Sequence, residues 1–140
     1  MAVKIATEED LENIRIITEL HPTTLMQYPA DRKKMQSLLQ NFIVYKNEGY
    51  LHYGKRKHSG VHICQLAAKY YRRGIGARLI RYLQARYDFI TVDCSVKNET
   101  AMLFYKRLGF KIIQERKFFN KHVRRHSVFN RCRWEKAKDE

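Results

Sequence analysis

Proline, cysteine and acidic residues are all scarce in this chain. Its two prolines, Pro22 and Pro29, both fall in "HPTTLMQYPA", which reads as a loop. The three cysteines, Cys64, Cys94 and Cys132, are odd in number and widely spaced, with no CxxC pair. That argues against a disulfide scaffold and against a zinc site, so no metal is expected. No apolar run approaches the roughly 20 residues of a membrane span. The opening "MAVKIATEED" lacks the charged-then-apolar pattern of a signal peptide. The expectation is a cytoplasmic protein with no membrane partner, either monomer or homodimer. Acidic side chains number 14 against 28 Lys and Arg, a net charge of +14. Such an excess attracts anionic ligands or polyanions through a summed field, or else is a solvated basic surface.

What is present suits one folded domain. The 140 residues are 44% hydrophobic and 12% aromatic, too apolar for a disordered chain and long enough to bury a core. "VKI" reads as a short strand. "TEEDLENIRIITEL" starts a helix with Thr7 as N-cap and Asp10 closing a variant capping box. Leu11, Ile14 and Thr18 line one face of that helix, with Ile17 beside them. A second helix runs from about Asp31, with Met35, Leu38 and Leu39 as its apolar stripe. "FIVYK", "YLHYGKRK" and "VHICQLAA" read as three successive antiparallel strands joined by tight turns. A helix follows in which Ile75, Leu79, Ile80 and Leu83 share a stripe while Arg78, Arg81 and Arg86 lie off it. "FITVDCSV" is a strand, and "NETAMLFYKRLGF" is a helix closed by Gly109. "KIIQERKFF" and "HSVFNRCRW" pair as the last two strands. With no repeat or linker, residues 1–140 form one α+β domain.

The chemistry concentrates at "KYYRRGIGARLI", residues 69–80. Two glycines one residue apart, behind two arginines, open directly into a helix. A helix N-terminus offers unpaired backbone N–H groups and a partial positive charge, which together bind phosphate. Glycine lets a ligand approach the backbone and permits positive φ. The turn is therefore a pyrophosphate cradle or simply a glycine-eased strand-to-helix turn. It is no dinucleotide fingerprint, because Leu79 stands where a third glycine belongs, and no P-loop, because Gly-Lys-Ser/Thr is absent.

About 20 residues on, "NETAMLFYKRLGF" reads N-x-x-A-x-x-F-Y-x-x-x-G-F. Strand, glycine turn, helix, strand, Asn, helix with Tyr, and Gly-Phe follow in that order. The combination resembles the GCN5-related N-acetyltransferase (GNAT) superfamily over roughly residues 3 to 115. The resemblance implies a mixed, mostly antiparallel twisted sheet of about six or seven strands flanked by about four helices. It implies acetyl-CoA as co-substrate and transfer of acetyl to an amine. Its cofactor edge falls on Cys64, Leu66 and Ala68. The pyrophosphate loop falls on Tyr71, Arg72, Arg73, Gly74, Ile75 and Gly76, with Ala77 next. Tyr71 departs from the Gln or Arg usual there. Asn98 matches the Asn near the cofactor arm, and Tyr105 the tyrosine that protonates the departing CoA thiolate. A phenol of pKa about 10 suits that task, although an aromatic here also packs a helix.

The family's Glu base is missing from "GVHICQLAA". His62, taken to share side-chain parity with Cys64 and Leu66, is one replacement. His52, Asp93 and a water chain are the others. Cys64 and Cys94 read as core residues. From Arg116 to Trp134 seven basic residues stand without an acidic one, interleaved with Phe118, Phe119 and Phe129. Such a hairpin would repel a basic acceptor peptide and draw a polyanionic or nucleic-acid partner, unless it is merely solvated. A second expectation follows, that of a catalytically weak protein of this fold that mainly binds nucleic acid or protein.

Overall fold

The computed structural model describes residues 2–21, 32–70, 73–120 and 124–137. Tyr71, Arg72 and the Pro22–Pro29 loop lie outside the described residues. The described elements are β1 (Lys4–Ile5), α1 (Leu11–Glu19), α2 (Arg32–Leu38), β2 (Phe42–Tyr45), β3 (Gly49–Arg56), β4 (Gly60–Ala68), α3 (Ile75–Gln84), β5 (Phe89–Ser95), α4 (Glu99–Arg107), β6 (Lys111–Asn120) and β7 (Arg125–Glu135). Short 3-10 turns lead into α1 (Glu8–Asp10) and follow α2 (Leu39–Asn41). The strands form one seven-stranded sheet in the order β1-β2-β3-β4-β5-β7-β6. Every neighbouring pair is antiparallel except β4 and β5. The expected α+β architecture is the observed one.

Side-chain alternation along the strands sends two apolar sets to opposite faces. On one face Leu51, Tyr53, Val61, Ile63, Ile90, Val92 and Cys132 pack against Ile75, Leu79, Ile80 and Leu83 of α3 and Tyr105 of α4. Leu79, Ile80 and Leu83 have no exposed surface. Burying each stabilises the fold by about 1.5–3 kcal/mol relative to exposure. On the other face Tyr50, Phe42, Val44 and Ala67 meet Ile14 and Ile17 of α1, Met35 of α2 and Leu39. That face also carries a polar knot, in which the Thr18 hydroxyl lies 2.7 Å from the Tyr50 hydroxyl and Gln65 Nε2 donates to the same oxygen.

Helix ends follow their sequence signals. The Asp10 carboxylate accepts the Thr7 N–H at 2.9 Å. Helix α4 closes in a two-bond C-terminal motif. Gly109, at φ +94°, donates to the Lys106 carbonyl, and Phe110 donates to the Tyr105 carbonyl. Gly109 must also stay small, since a Cβ there would lie 3.2 Å from the Trp134 ring.

Candidate functional site: a wedge between two strands

Strands β4 and β5 begin together and then part. Their parallel ladder covers only Gly60–Ile63 against Phe89–Val92. Beyond it β4 keeps its partner β3 and β5 keeps β7, but the two have no further pairs with each other. The parting coincides with a β-bulge. His52 pairs with Gln65 and Tyr53 with Ile63, so Cys64 is the extra residue. A bulge bends its strand and raises the local twist. One edge of β4 from Cys64 to Ala68 therefore faces a gap, with backbone groups free of a described strand partner. The Ala68 carbonyl is met instead by His21 Nε2 at 3.3 Å.

The bulge also overturns the parity expected for His62. Val61 and Ile63 face α3, but after the extra residue it is Leu66 and Ala68 that pack there, while Gln65 and Ala67 turn to the α1 face. His62 and Leu66 thus lie on opposite faces. His62 and Cys64 do share one, for a Cβ built on Gly54, the ladder partner of His62, would lie 3.9 Å from the Cys64 sulfur. Cys64 is exposed, contrary to its reading as a core residue, because the bulge pushes it out of the alternation. Cys94 is buried as expected, its thiol pushed up to about 11 by burial and by Cys132.

At the mouth of the gap, α3 opens on the glycine turn, and the two glycines serve different ends. Gly74 is the N-cap, at φ +74° and ψ +11°, a left-handed conformation that side chains resist. Among the described residues nothing lies within 4 Å of its absent Cβ. Gly76 is a packing glycine. A Cβ there would lie 3.0 Å from the Phe104 ring and 3.6 Å from Leu66 Cδ2, so its bareness seats α3 against α4 and the open edge of β4. The Arg78 N–H returns to the Gly74 carbonyl at 3.1 Å. The N–H groups of Ile75, Gly76 and Ala77 lie in the first turn, where no intrahelical acceptor exists. Ile75 is buried by its side chain and can offer only its backbone. Arg73 stacks over the Tyr70 ring at 4.5 Å.

Asn98 caps α4, its Oδ1 accepting the Ala101 N–H at 3.0 Å, which leaves its amide nitrogen for other partners. Seven residues later Tyr105 points into the core on the α3 side, 7% exposed, with Phe104 and Phe110 edge-on at 5.1 and 5.3 Å. Burial drives its phenol pKa well above the ordinary value, and the neighbouring Cys94 and Cys132 push the same way. Among the described residues no buried side-chain nitrogen or oxygen lacks a hydrogen-bond partner.

On the opposite face the structure brings together two of the rival bases. His62 Nδ1 lies 2.7 Å from the Thr91 hydroxyl, and its Nε2 lies 4.0 Å from an Asp93 oxygen. Arg131 grips Asp93 with two bonds, Nε to Oδ1 at 2.8 Å and Nη2 to Oδ2 at 2.9 Å. Those bonds hold the Asp93 carboxyl below its ordinary value, which makes it a poor proton acceptor. Burial lowers the His62 pKa. Asp93 opposes that shift, and Arg131, Arg56 and Arg116 reinforce it, so the imidazole is neutral at pH 7. His52 is half-buried and stacked on the buried Phe42 ring at 4.4 Å, on the α1 face of the sheet. The basic hairpin is less free than its sequence implied, because Arg131 is held by Asp93 and Arg133 by Glu135 at 2.7 Å. Among the described residues, no three His, Cys, Asp or Glu side chains group to hold a metal, and no helix is long and apolar enough to cross a membrane.

The open edge of β4 and the glycine turn lie where the resemblance set its cofactor edge and pyrophosphate loop, and the bulge is an addition that it did not imply. The acetyltransferase (GNAT) domain family matches residues 39–112, from the turn after α2 into β6. The chain belongs to the GNAT acetyltransferase family. Over 48 residues it is 40% identical to the peptidyl-lysine N-acetyltransferase YiaC of Escherichia coli (strain K12), a match covering 34% of this chain and 33% of that protein. The matched stretch is thus about a third of the curated relative's length. Among solved structures, Ard1 from Thermoplasma volcanium superposes with a TM-score of 0.75 at 17% identity, over 98% of each chain. The yncA protein of Salmonella typhimurium, a putative acetyltransferase solved with its cofactor acetyl-CoA, gives 0.78 at 13% identity over 100% of this chain and 96% of its own. These distant structures share the GNAT fold. None of these relatives favours the alternative of a mere binding module.

Proposed function

We propose that this GNAT protein is an acetyl-CoA-dependent N-acetyltransferase that moves the acetyl group directly to an amine. The observation that carries this reading is the bulge-opened gap between β4 and β5, with the Gly74 turn at its mouth. An extended amide-bearing arm fits along Cys64, Leu66 and Ala68, pairing with backbone as a further strand would. The N–H groups of Ile75, Gly76 and Ala77 suit a pyrophosphate, with Arg73 beside them as a flanking positive charge. The Asn98 amide nitrogen is left for the arm once its oxygen has capped α4.

Acetyl-CoA supplies the activated acetyl carbon. His62 takes a proton from the acceptor nitrogen, directly or through water, as that nitrogen attacks the thioester carbonyl. As the carbon–sulfur bond breaks, Tyr105 donates its phenolic proton to the sulfur. The raised phenol pKa makes Tyr105 a weaker donor, and a thiolate that shares its burial has its pKa raised as well, which offsets the loss.

Melting with and without acetyl-CoA tests the cofactor part. Saturation at about 100 times Kd adds roughly 2.7 kcal/mol, a rise of several degrees for a domain this size. No rise at millimolar acetyl-CoA would sink the proposal. Release of CoA in the presence of an amine tests the transfer.

A further inference from the structure

The face of the sheet that carries His62 has more arginine than carboxylate. Arg56, Arg116, Arg131 and Arg133 stand on it, by register and by their contacts, against Asp93 and Glu135 on β5 and β7. Each of those two carboxylates is already held by an arginine, Arg131 or Arg133. Arg56 is differently placed. Gly54, the ladder partner of His62, has no side chain, and Arg56 folds into that space. A Cβ on Gly54 would lie 2.9 Å from an Arg56 guanidinium nitrogen. The charged end of Arg56 therefore lies over the strand position next to His62. Its hydrogen bond from Nη1 to the Lys55 carbonyl, at 3.3 Å, is long.

We infer that the acceptor carries an anionic group, a carboxylate or a phosphate, beside its amine, and that Arg56 binds this group while His62 receives the amine. The inference rests on the acetyltransferase reading and names its substrate class. Two further observations agree. Arg131, Arg56 and Arg116 all act against a positive charge on His62, and the same field disfavours an incoming ammonium that brings no negative charge with it. The whole chain carries +14, which favours encounter with anions and not with cationic peptides. Guanidinium is also the side chain best shaped for two-point recognition of carboxylate or phosphate.

The test uses matched pairs that differ only in the anion. L-Phenylalanine is compared with L-phenylalaninamide, and phosphoethanolamine with ethanolamine, each titrated into the CoA-loaded full chain by calorimetry. The anionic member of at least one pair is expected to bind about tenfold more tightly or better. Arg56→Gln should reduce that preference to about threefold or less, and Arg56→Lys should restore part of it. Which pair responds separates carboxylate from phosphate. Equal or tighter binding of the members that lack the anionic group, no binding by any of the four, or a preference untouched by Arg56→Gln overturns the inference. Release of CoA from acetyl-CoA with ethanolamine as the better substrate would sink the anionic class while leaving the acetyltransferase reading intact. Failure to bind acetyl-CoA would sink that reading itself.

Discussion

The two halves of β4 make different uses of the same backbone. From Gly60 to Ile63 the strand is enclosed, with β3 on one side and β5 on the other. From Gln65 to Ala68 it keeps β3 alone. Between them stands Cys64, one residue out of step. The first half is ordinary sheet interior, and the second is a sheet interior with one neighbour removed. The comparison teaches that opening a groove in a sheet requires no loop. A single inserted residue opens a sheet along its own hydrogen-bond ladder and also exchanges which side chains look up and which look down.

The most damaging way to break this contrast is to fill the open half. Gly76→Glu places bulk against Phe104 and Leu66 and a negative charge at the helix N-terminus. Loss of any acetyl-CoA-induced rise in melting temperature is expected. Gly76→Ala should lower stability while keeping the rise, which separates packing from charge. A retained rise in the Glu variant would show that no anion sits at this turn.

Next in size is Tyr105→Phe. Loss of a general acid costs about 10²-fold or more, so kcat should fall while acetyl-CoA affinity stays within about twofold. An unchanged kcat removes Tyr105 as the proton donor.

The enclosed half is probed through Arg131. His62 must be neutral to accept a proton, and its pKa is lowered below the ordinary value of about 6.5. The acid limb of the rate profile therefore lies below that pH. Arg131→Gln removes a cation that lowers the His62 pKa and releases Asp93, which raises it. Both changes move the limb to higher pH. A limb that stays in place would mean that another group titrates.

The smallest effect belongs to Asn98. Asn98→Ala removes the α4 cap at a cost of about 1 kcal/mol, read as a melting temperature lower by a few degrees. Asn98→Asp restores the cap oxygen but not the amide nitrogen. If only capping matters, Asp should rescue acetyl-CoA affinity along with stability, and a rescue of stability alone would assign the nitrogen to the cofactor.

How much of this was legible in the sequence depended on range. The α3 stripe of Ile75, Leu79, Ile80 and Leu83 is a period within a few turns, and all four are buried. The Asn98-to-Gly109 pattern is local too, and its Gly109 end was visible as a cap residue. Asn98 reads in the sequence only as a match to the cofactor-arm Asn, and it proves to cap α4 as well. The bulge was not visible. A bulge is a choice of register between two strands, and Cys64 carries none of the glycine signature that would mark it. The error in His62 parity followed directly from that gap. The Asp93–Arg131 pair joins residues 38 apart in the chain and leaves no mark on either neighbourhood. The bareness of Gly76 reads in the sequence as room for a ligand, whereas the side chains its absent Cβ would meet, Phe104 and Leu66, belong to α4 and β4.

The four ladder pairs between β4 and β5 have a mechanical side as well. They are the sheet's seam, the line along which the β1–β4 meander is stitched to the β5-β7-β6 unit. Below the stitches the cloth is continuous, and above them it hangs open. A ligand that hydrogen-bonds along the loose edge lengthens the stitching. Amides of Gly60–Ile63 and Phe89–Val92 should then exchange with solvent more slowly as the groove fills, so that occupancy is written into the cohesion of the whole domain.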